Sequence, residues 1–321
     1  MTSAILLVGG RGTRLSPITD DIPKPMLPIA GLPVTEHQIL AAKRAGVTTL
    51  VLATSYLAEV FTPYFGDGSK WGIDLRYAIE KEPLGTGGAI AHAAAALDDD
   101  EDQPVLIFNG DVISDHDISA QIASHKENSA DVTLHLIQVE DARAFGCVPT
   151  DSQNRVTAFL EKMDQPVTNW INAGCYIFNR AVIDSIPRGV VTSVERETFP
   201  GLITDNRRIF GYKENAYWLD IGTPAALFKA SKDRVTGGFS AHPTARIDSS
   251  ALLSGGTSIG AMATIASKAT LNNCIISEGA QVATRARLER CFLAPGATVE
   301  SDASFTDRYI SIGKNIPINF I

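Results

Sequence analysis

The feature that most constrains this chain is a six-residue repeat towards its C terminus. Ile247, Leu253, Ile259, Ile265 and Leu271 follow one another six apart, and a small residue (Ala245, Ala251, Thr257, Ala263, Ala269) stands two positions before each. The period skips one residue and resumes at Ile276, Val282 and Leu288, with Cys274, Ala280 and Ala286 two before. It skips again and resumes at Leu293, Val299 and Phe305, preceded by Cys291, Ala297 and Ala303. An amphipathic helix would repeat near 3.6 and an open strand at 2. A period of six instead fits a β-helix, where each coil stacks its aliphatic residue on the next and leaves room only for small residues at the corner. Residues 238–321 are therefore expected to form a parallel β-helix of hexapeptide repeats, left-handed in its coiling. Stacked coils leave open ends, which invite cover by a partner copy or by the apolar tail, residues 316–321.

Residues 1–237 follow another rule. The continuous apolar run at 4–8 suits a parallel strand covered on both faces. Strand-like segments at 49–53, 105–109, 131–139 and 156–161 alternate with helix-like ones at 36–45, 87–97 and 223–234. Such alternation implies an α/β domain, with a Rossmann-like, mostly parallel mixed sheet and helices on both sides.

Composition narrows the function. The 321 residues are 45% hydrophobic, enough for a normal buried core, and carry 28 Lys+Arg against 36 Asp+Glu, a net charge of −8. That balance argues against a nonspecific nucleic-acid binder, which needs a basic surface. No apolar stretch is long enough to span a bilayer, and the run at 4–8 is too short for a signal-peptide core. Cys147, Cys175, Cys274 and Cys291 are scattered, so they are expected to be reduced, buried residues of a cytoplasmic protein. Consecutive carboxylates at 98–102 read as a solvated loop.

The first strand runs directly into LVGGRGTRLSPIT. Gly9, Gly10 and Gly12 allow a tight turn that brings backbone N–H groups close to an anion. Arg11, Arg14 and Lys24 add positive charge at the carboxyl end of a strand, where open α/β sheets bind ligands. The dinucleotide fingerprint fails, because Leu15 stands where its third glycine belongs, and there is no Walker A sequence. Asp111 (in FNGD) and Asp220 (in YWLDIGTP) each follow a short apolar strand. Two such carboxylates suit a magnesium ion shared with substrate phosphates. Each could equally cap a helix start.

Taken in order, GGRGTRLSPITDDIPKPMLPIAG, EPLGTGGAI, NGD, LEK, NAGCYIF, ERETFP and WLDIGTP resemble the motif series of the sugar-1-phosphate nucleotidyltransferases, most closely the mannose-1-phosphate guanylyltransferase group. The resemblance covers nearly the whole chain. It implies an enzyme that joins a sugar 1-phosphate to a nucleoside triphosphate and releases pyrophosphate, with mannose 1-phosphate and GTP as the first choice. By that resemblance Val8, Gly9, Gly10, Gly12, Thr13, Arg14, Glu82, Gly85, Thr86 and Gly110 line the nucleotide. Arg14, Lys24 and Asp111 are catalytic, and Asp111 and Asp220 hold Mg2+. Gly146, Glu161, Lys162 and Asn172 take the sugar phosphate. Thr86 has a competing role as the cap of the helix that follows, and Glu195 and Glu197 either reach the sugar or face solvent. Tyr176 and Trp218 are expected to pack. Met163, where relatives carry proline after Glu-Lys, and the segment FGCVPTD at 145–151 depart from the pattern beside the sugar pocket, so another sugar or a cyclitol phosphate stays open, as does another base. A non-catalytic nucleotide-sugar sensor and a β-helix acetyltransferase are rival readings. The first would fit a loss of Arg14, Lys24 or an aspartate, and the second would need a long loop with a catalytic histidine. A homo-oligomer formed through the β-helix is expected, with no nucleic-acid or membrane partner.

Overall fold

A computed structural model describes residues 2–10, 12–54, 58–98 and 103–320. The chain divides into two compact units, one made of Met1–Gly10 and Gln38–Trp218, the other of Arg11–His37 and Leu219–Ile321.

In the first unit the N-terminal apolar run forms the strand Thr2–Leu7, whose Ala4, Ile5 and Leu6 have no exposed surface. It lies between two parallel neighbours, Val47–Thr54 and Pro104–Asn109, and Asp74–Ile79 extends the parallel set. Burial on both faces is why this run shows no polar alternation. Beyond Pro104–Asn109 the sheet becomes mixed. Trp170–Asn179 and Val132–Gln138 are each antiparallel to the strand before, and Ile209–Lys213 runs parallel to the last. From Thr2–Leu7 the chain builds the sheet first to one side and then, with Pro104–Asn109, to the other. That reversal makes the crevice above these two strands the topological switch point, where open α/β sheets take their ligands.

Two differences from the sequence reading have local causes. The strand expected at 156–161 survives only as Leu160–Glu161, paired with Gly146–Cys147, while Val156 makes an isolated bridge to Thr150. Pro149, opposite, has no N–H to give a ladder. The ten-residue strand Trp170–Asn179 went unread because its register shifts between Asn172 and Tyr176, where Gly174 takes φ 77°. Such a bulge breaks the alternation that marks a strand.

The second unit carries three parallel ladders of short strands. One climbs from Phe239–Ala241 through Thr257–Ile259, Ile275–Ile276 and Phe292–Leu293 to Arg308–Ser311. A second starts at Arg246–Ile247 and a third at Leu252–Ser254. This is the expected β-helix. Ladder partners between the first coils are 18 residues apart, as Arg246 and Thr264, and those between later coils 17 apart, as Thr264 and Gln281. The skipped positions in the repeat are this shortening: the first corner holds two left-handed glycines, Gly255 and Gly256, and later ones a single left-handed residue, Asn273 or Arg290. From Thr257 on, each small residue comes immediately after a left-handed one, as Ala263 after Met262 and Cys291 after Arg290, and both are fully buried. The tail strand Lys314–Pro317 turns back antiparallel along Arg308–Ser311 and covers that edge of the last coil, and Ile318 is buried beyond it. All four cysteines are free and buried.

Candidate functional site

In the first unit the candidate residues gather on loops at the carboxyl edge of the sheet. Gly110 ends the strand Pro104–Asn109, and its N–H donates to the Leu7 carbonyl at 2.9 Å. A Cβ there would collide with that same oxygen, so only glycine lets the two strand ends meet and deliver Asp111 beside them. Asp111 is half-buried and leads into the strand Val112–Ser114, not a helix, so the capping alternative fails for it. Val8 is buried and donates its N–H to the Ala53 carbonyl at 2.9 Å. Gly10 differs from Gly110: among the described residues an added Cβ would meet nothing within 4 Å. Among the described residues, packing does not account for this glycine. Arg11 lies outside the described residues, as do residues 99–102 of the acidic run. Asp98, the first of that run, pairs with Arg76 at 3.0 Å.

The glycines of EPLGTGG answer to the chain itself. The segment at 190–192 crosses the start of the helix Gly85–Ala93, where Gly87 and Gly88 donate their N–H groups to the Thr192 carbonyl at 2.8 and 3.3 Å. A Cβ on Gly85 would sit 2.6 Å from that carbonyl, and one on Gly88 2.6 Å from the Val190 carbonyl. The expectation that Thr86 caps this helix is corrected. Its hydroxyl donates to Glu195 Oε2 at 2.7 Å and accepts the Val194 N–H at 2.9 Å. The Thr192 carbonyl already satisfies the N–H groups a cap would serve. Glu195, half-buried, also accepts from the Ser193 hydroxyl at 3.0 Å, whereas Glu197 is exposed and accepts the Ser193 N–H at 2.8 Å. Glu82 is exposed. The sequence reading passed over Glu80, only 7% exposed, which follows the strand Asp74–Ile79 as Asp111 follows its own. Burial pushes its carboxyl up from the ordinary range, offset in part by the Leu84 N–H it accepts at 3.2 Å. An acid directly after an alternating apolar strand was the available signal.

The residues expected to take the sugar phosphate form a second group. Glu161 pairs across the ladder with Gly146, and a Cβ on Gly146 would come 2.8 Å from the Glu161 carboxylate. Lys162, at φ 47°, keeps its Nζ 4.0 Å from Glu161 Oε1 on a largely exposed side chain. Asn172 is held by the bulge: its amide donates to the Tyr176 hydroxyl at 2.8 Å and its carbonyl accepts the Gly174 N–H at 3.1 Å. Tyr176 is fully buried, and Trp218 donates Nε1–H to the Ala173 carbonyl at 2.9 Å, so both pack as expected.

In the second unit, by itself, Arg14, Lys24 and Asp220 come together. Gly12 takes φ 63°, and a Cβ on it would sit 2.9 Å from the Lys24 Cβ, so the two ends of the motif lie against each other. The Thr19 hydroxyl donates to the Gly12 carbonyl at 2.9 Å, and Leu15 and Ile18 are fully buried beneath. Thr13 and Arg14 stay exposed. Lys24, 7% exposed, brings its Nζ to 4.0 Å from Asp220 Oδ1. A Cβ at Gly222 would be 3.0 Å from Asp220 Oδ2 and 3.1 Å from an Arg14 guanidinium nitrogen. Arg14, Lys24 and Asp220 therefore converge, from stretches about 200 residues apart in the sequence. Asp220 caps no helix either: Thr223 caps Pro224–Arg234, accepting the Ala226 N–H at 3.2 Å. Two cations beside a carboxylate can neutralise a polyphosphate while leaving a hard oxygen donor for a divalent ion. Among the described residues no three or more His, Cys, Asp or Glu side chains are grouped to hold a metal, and no helix is long and apolar enough to cross a membrane.

Known proteins resemble this chain in sequence and in fold. The family profile described as nucleotidyl transferase matches residues 3–236. A mannose-1-phosphate guanylyltransferase of Mycobacterium tuberculosis is 46% identical over 291 residues, 87% of this chain and 80% of that protein. A mannose-1-phosphate guanyltransferase of Gibberella zeae is 38% identical over 223 residues, 68% of this chain and 60% of its own length. Among solved structures, HddC from Yersinia pseudotuberculosis complexed with GMP-PN matches with a TM-score of 0.62 at 29% identity, covering 73% of this chain and 99% of that one. A putative glucose-1-phosphate thymidylyltransferase from Bacillus anthracis shares the fold, with a TM-score of 0.65 at 20% identity over 74% of this chain and 98% of its own. With the profile spanning most of the chain and these relatives alongside, the protein belongs to the nucleotidyl transferase family.

Proposed function

We propose that this protein transfers a guanylyl group from GTP to mannose 1-phosphate, giving GDP-mannose and pyrophosphate. The observation that carries the reading is the 46% identity to the Mycobacterium enzyme of that name over 87% of the chain. An oxygen of the sugar phosphate attacks the α-phosphorus in line, the bond to the β-phosphate oxygen breaks, and pyrophosphate leaves with that electron pair. Catalysis is then mainly placement and charge neutralisation. In this reading Arg14 takes the β- and γ-phosphates. The buried Lys24 stands between the α-phosphate and the sugar phosphate, where charge accumulates. The backbone from Val8 to Thr13, Gly110 and the stretch holding Glu82, Gly85 and Thr86 line the nucleotide. Glu161 accepts sugar hydroxyls, Lys162 reaches the sugar phosphate, and Gly146 and Asn172 shape that pocket.

Nucleotidyl transferases of this family generally use a divalent metal. The donor chemistry fits magnesium, with Asp111 and Asp220 supplying hard carboxylate oxygens and phosphates and water the rest. When bound, the ion lowers the mutual repulsion of the two substrates' phosphates. The protein acts in the cytoplasm as a homo-oligomer joined through its β-helix.

A second reading keeps the reaction and changes the sugar. It is favoured by the pocket border, where Met163 Sδ meets Cys147 Sγ at 3.9 Å and Phe145 stands edge-on to Trp218 at 5.5 Å. A pyrophosphate-release assay with five triphosphates against several sugar 1-phosphates separates the two. GTP with mannose 1-phosphate is expected to give the highest kcat/KM, and another pair at the top would replace the first reading. Asp111→Asn is expected to lose turnover while remaining folded.

A further inference from the structure

The stretch between Arg14 and Lys24 is held in place by the far end of the chain. The Tyr309 hydroxyl donates to Asp21 Oδ2 at 2.7 Å across 288 residues of sequence. Lys314 Nζ donates to Asp21 Oδ1 at 3.0 Å and to Oδ2 at 3.2 Å. Both partners belong to one hairpin on the last coil of the β-helix, where Tyr309 pairs with Ile316 and Ser311 with Lys314 around a left-handed Gly313. Tyr309 is fully buried, with its ring 5.8 Å from that of Phe292 in the coil below, so its hydroxyl is aimed by the β-helix itself. Asp21 is the other kind of residue, an exposed side chain on an irregular segment of short turns. An exposed single ion pair contributes little. A buried tyrosine and a lysine closing on both oxygens of one carboxylate form a fixed point. That point matters because Gly12 and Lys24 lie against each other, so moving Asp21 moves the cation carriers on either side of it.

We propose that Asp21, Tyr309 and Lys314 are positioning residues for the transfer reaction: the terminal coil of the β-helix clamps the segment that carries Arg14 and Lys24. This rests on the function proposed above. It gives the β-helix a role in catalysis within each subunit, separate from any role in assembly. Neither Tyr309 nor Lys314 is assigned any contact with substrate.

The test uses the full-length protein with GTP, mannose 1-phosphate and Mg2+, read by pyrophosphate release and by amide hydrogen exchange of residues 12–24. Tyr309→Phe keeps the buried ring and removes only the hydroxyl. Paired with Lys314→Ala it is expected to lower kcat about a hundredfold, the scale on which a displacement of about 1 Å acts. KM should change much less, exchange in residues 12–24 should quicken, and Lys314→Arg should restore most of the rate. Arg285→Ala, which removes an exposed ion pair with Asp302 elsewhere on the β-helix, is the control and should leave kcat unchanged. A wild-type protein that turns over while the double variant keeps its kcat and its exchange pattern would overturn the clamp alone. A wild-type protein that turns over no substrate pair would overturn the clamp together with the function it rests on.

Discussion

The two kinds of backbone in this molecule differ in what fixes their special positions. In the β-helix the corners place Met262, Lys268, Asn273, Arg285, Arg290, Asp302 and Asp307 at positive φ beside the glycines, because the corner side chains point outward and the coil tolerates them. At the carboxyl edge of the sheet, Gly85, Gly110 and Gly146 are fixed by contact: a Cβ would strike the Thr192 carbonyl, the Leu7 carbonyl or the Glu161 carboxylate. The regular part is built by repetition, and corners such as Gly279 and Gly296 leave room for a side chain, though Gly260 is closed in by the backbone at 277–278. The irregular part is built by single close approaches, each required by a different neighbour, and the candidate site lies there.

The widest gap between the two should come from paired glycine substitutions. Gly110→Ala forces a methyl into a backbone oxygen and is expected to cost about 3 kcal/mol or more, seen as a large fall in the denaturant midpoint together with lost turnover. Between these extremes lies acid. His116 and His135 stack at 3.9 Å in the sheet unit, and burial lowers His116 to about 4 and His135 to about 2, the latter with help from its neighbour's charge. Both stay neutral when folded, so below the ordinary histidine pKa the unfolded chain binds protons that the folded one refuses. Their contribution is complete above about pH 6.5 and fades as pH falls, towards about 4 for His116 and about 2 for His135, a loss on the order of 2 kcal/mol for each by pH 5. The β-helix has only the exposed His242. Hydrogen exchange at pH 5 should therefore quicken in the sheet unit first, and equal loss in both units would break the comparison. The smallest effect belongs to Gly296→Ala, where a Cβ meets only the Ile312 side chain at 3.9 Å. The left-handed backbone there should cost about 1 kcal/mol with activity intact.

The same contrast decides what could be read from the sequence. The β-helix was legible to its skipped residues, since a coil of fixed length writes its period into the chain. The first strand and the acids after it were legible because an apolar run ending in a charged residue marks a sheet edge. Trp170–Asn179 was hidden by its bulge, and the capping alternative for Thr86 fails because the Thr192 carbonyl, more than a hundred residues on, occupies the helix start. The link from Asp21 to Tyr309 and Lys314 has no local signal, for it depends on where the last coil ends.

Lys24, buried beside Asp220 with Arg14 close by, is the residue on which the transfer chemistry most directly depends. The decisive measurement is kcat for pyrophosphate release from GTP and mannose 1-phosphate by Lys24→Ala, with the unfolding midpoint recorded alongside. Loss of a charge that acts mainly in the transition state predicts a fall of about a thousandfold with the fold retained. A variant that turns over as fast as the wild type would contradict the account.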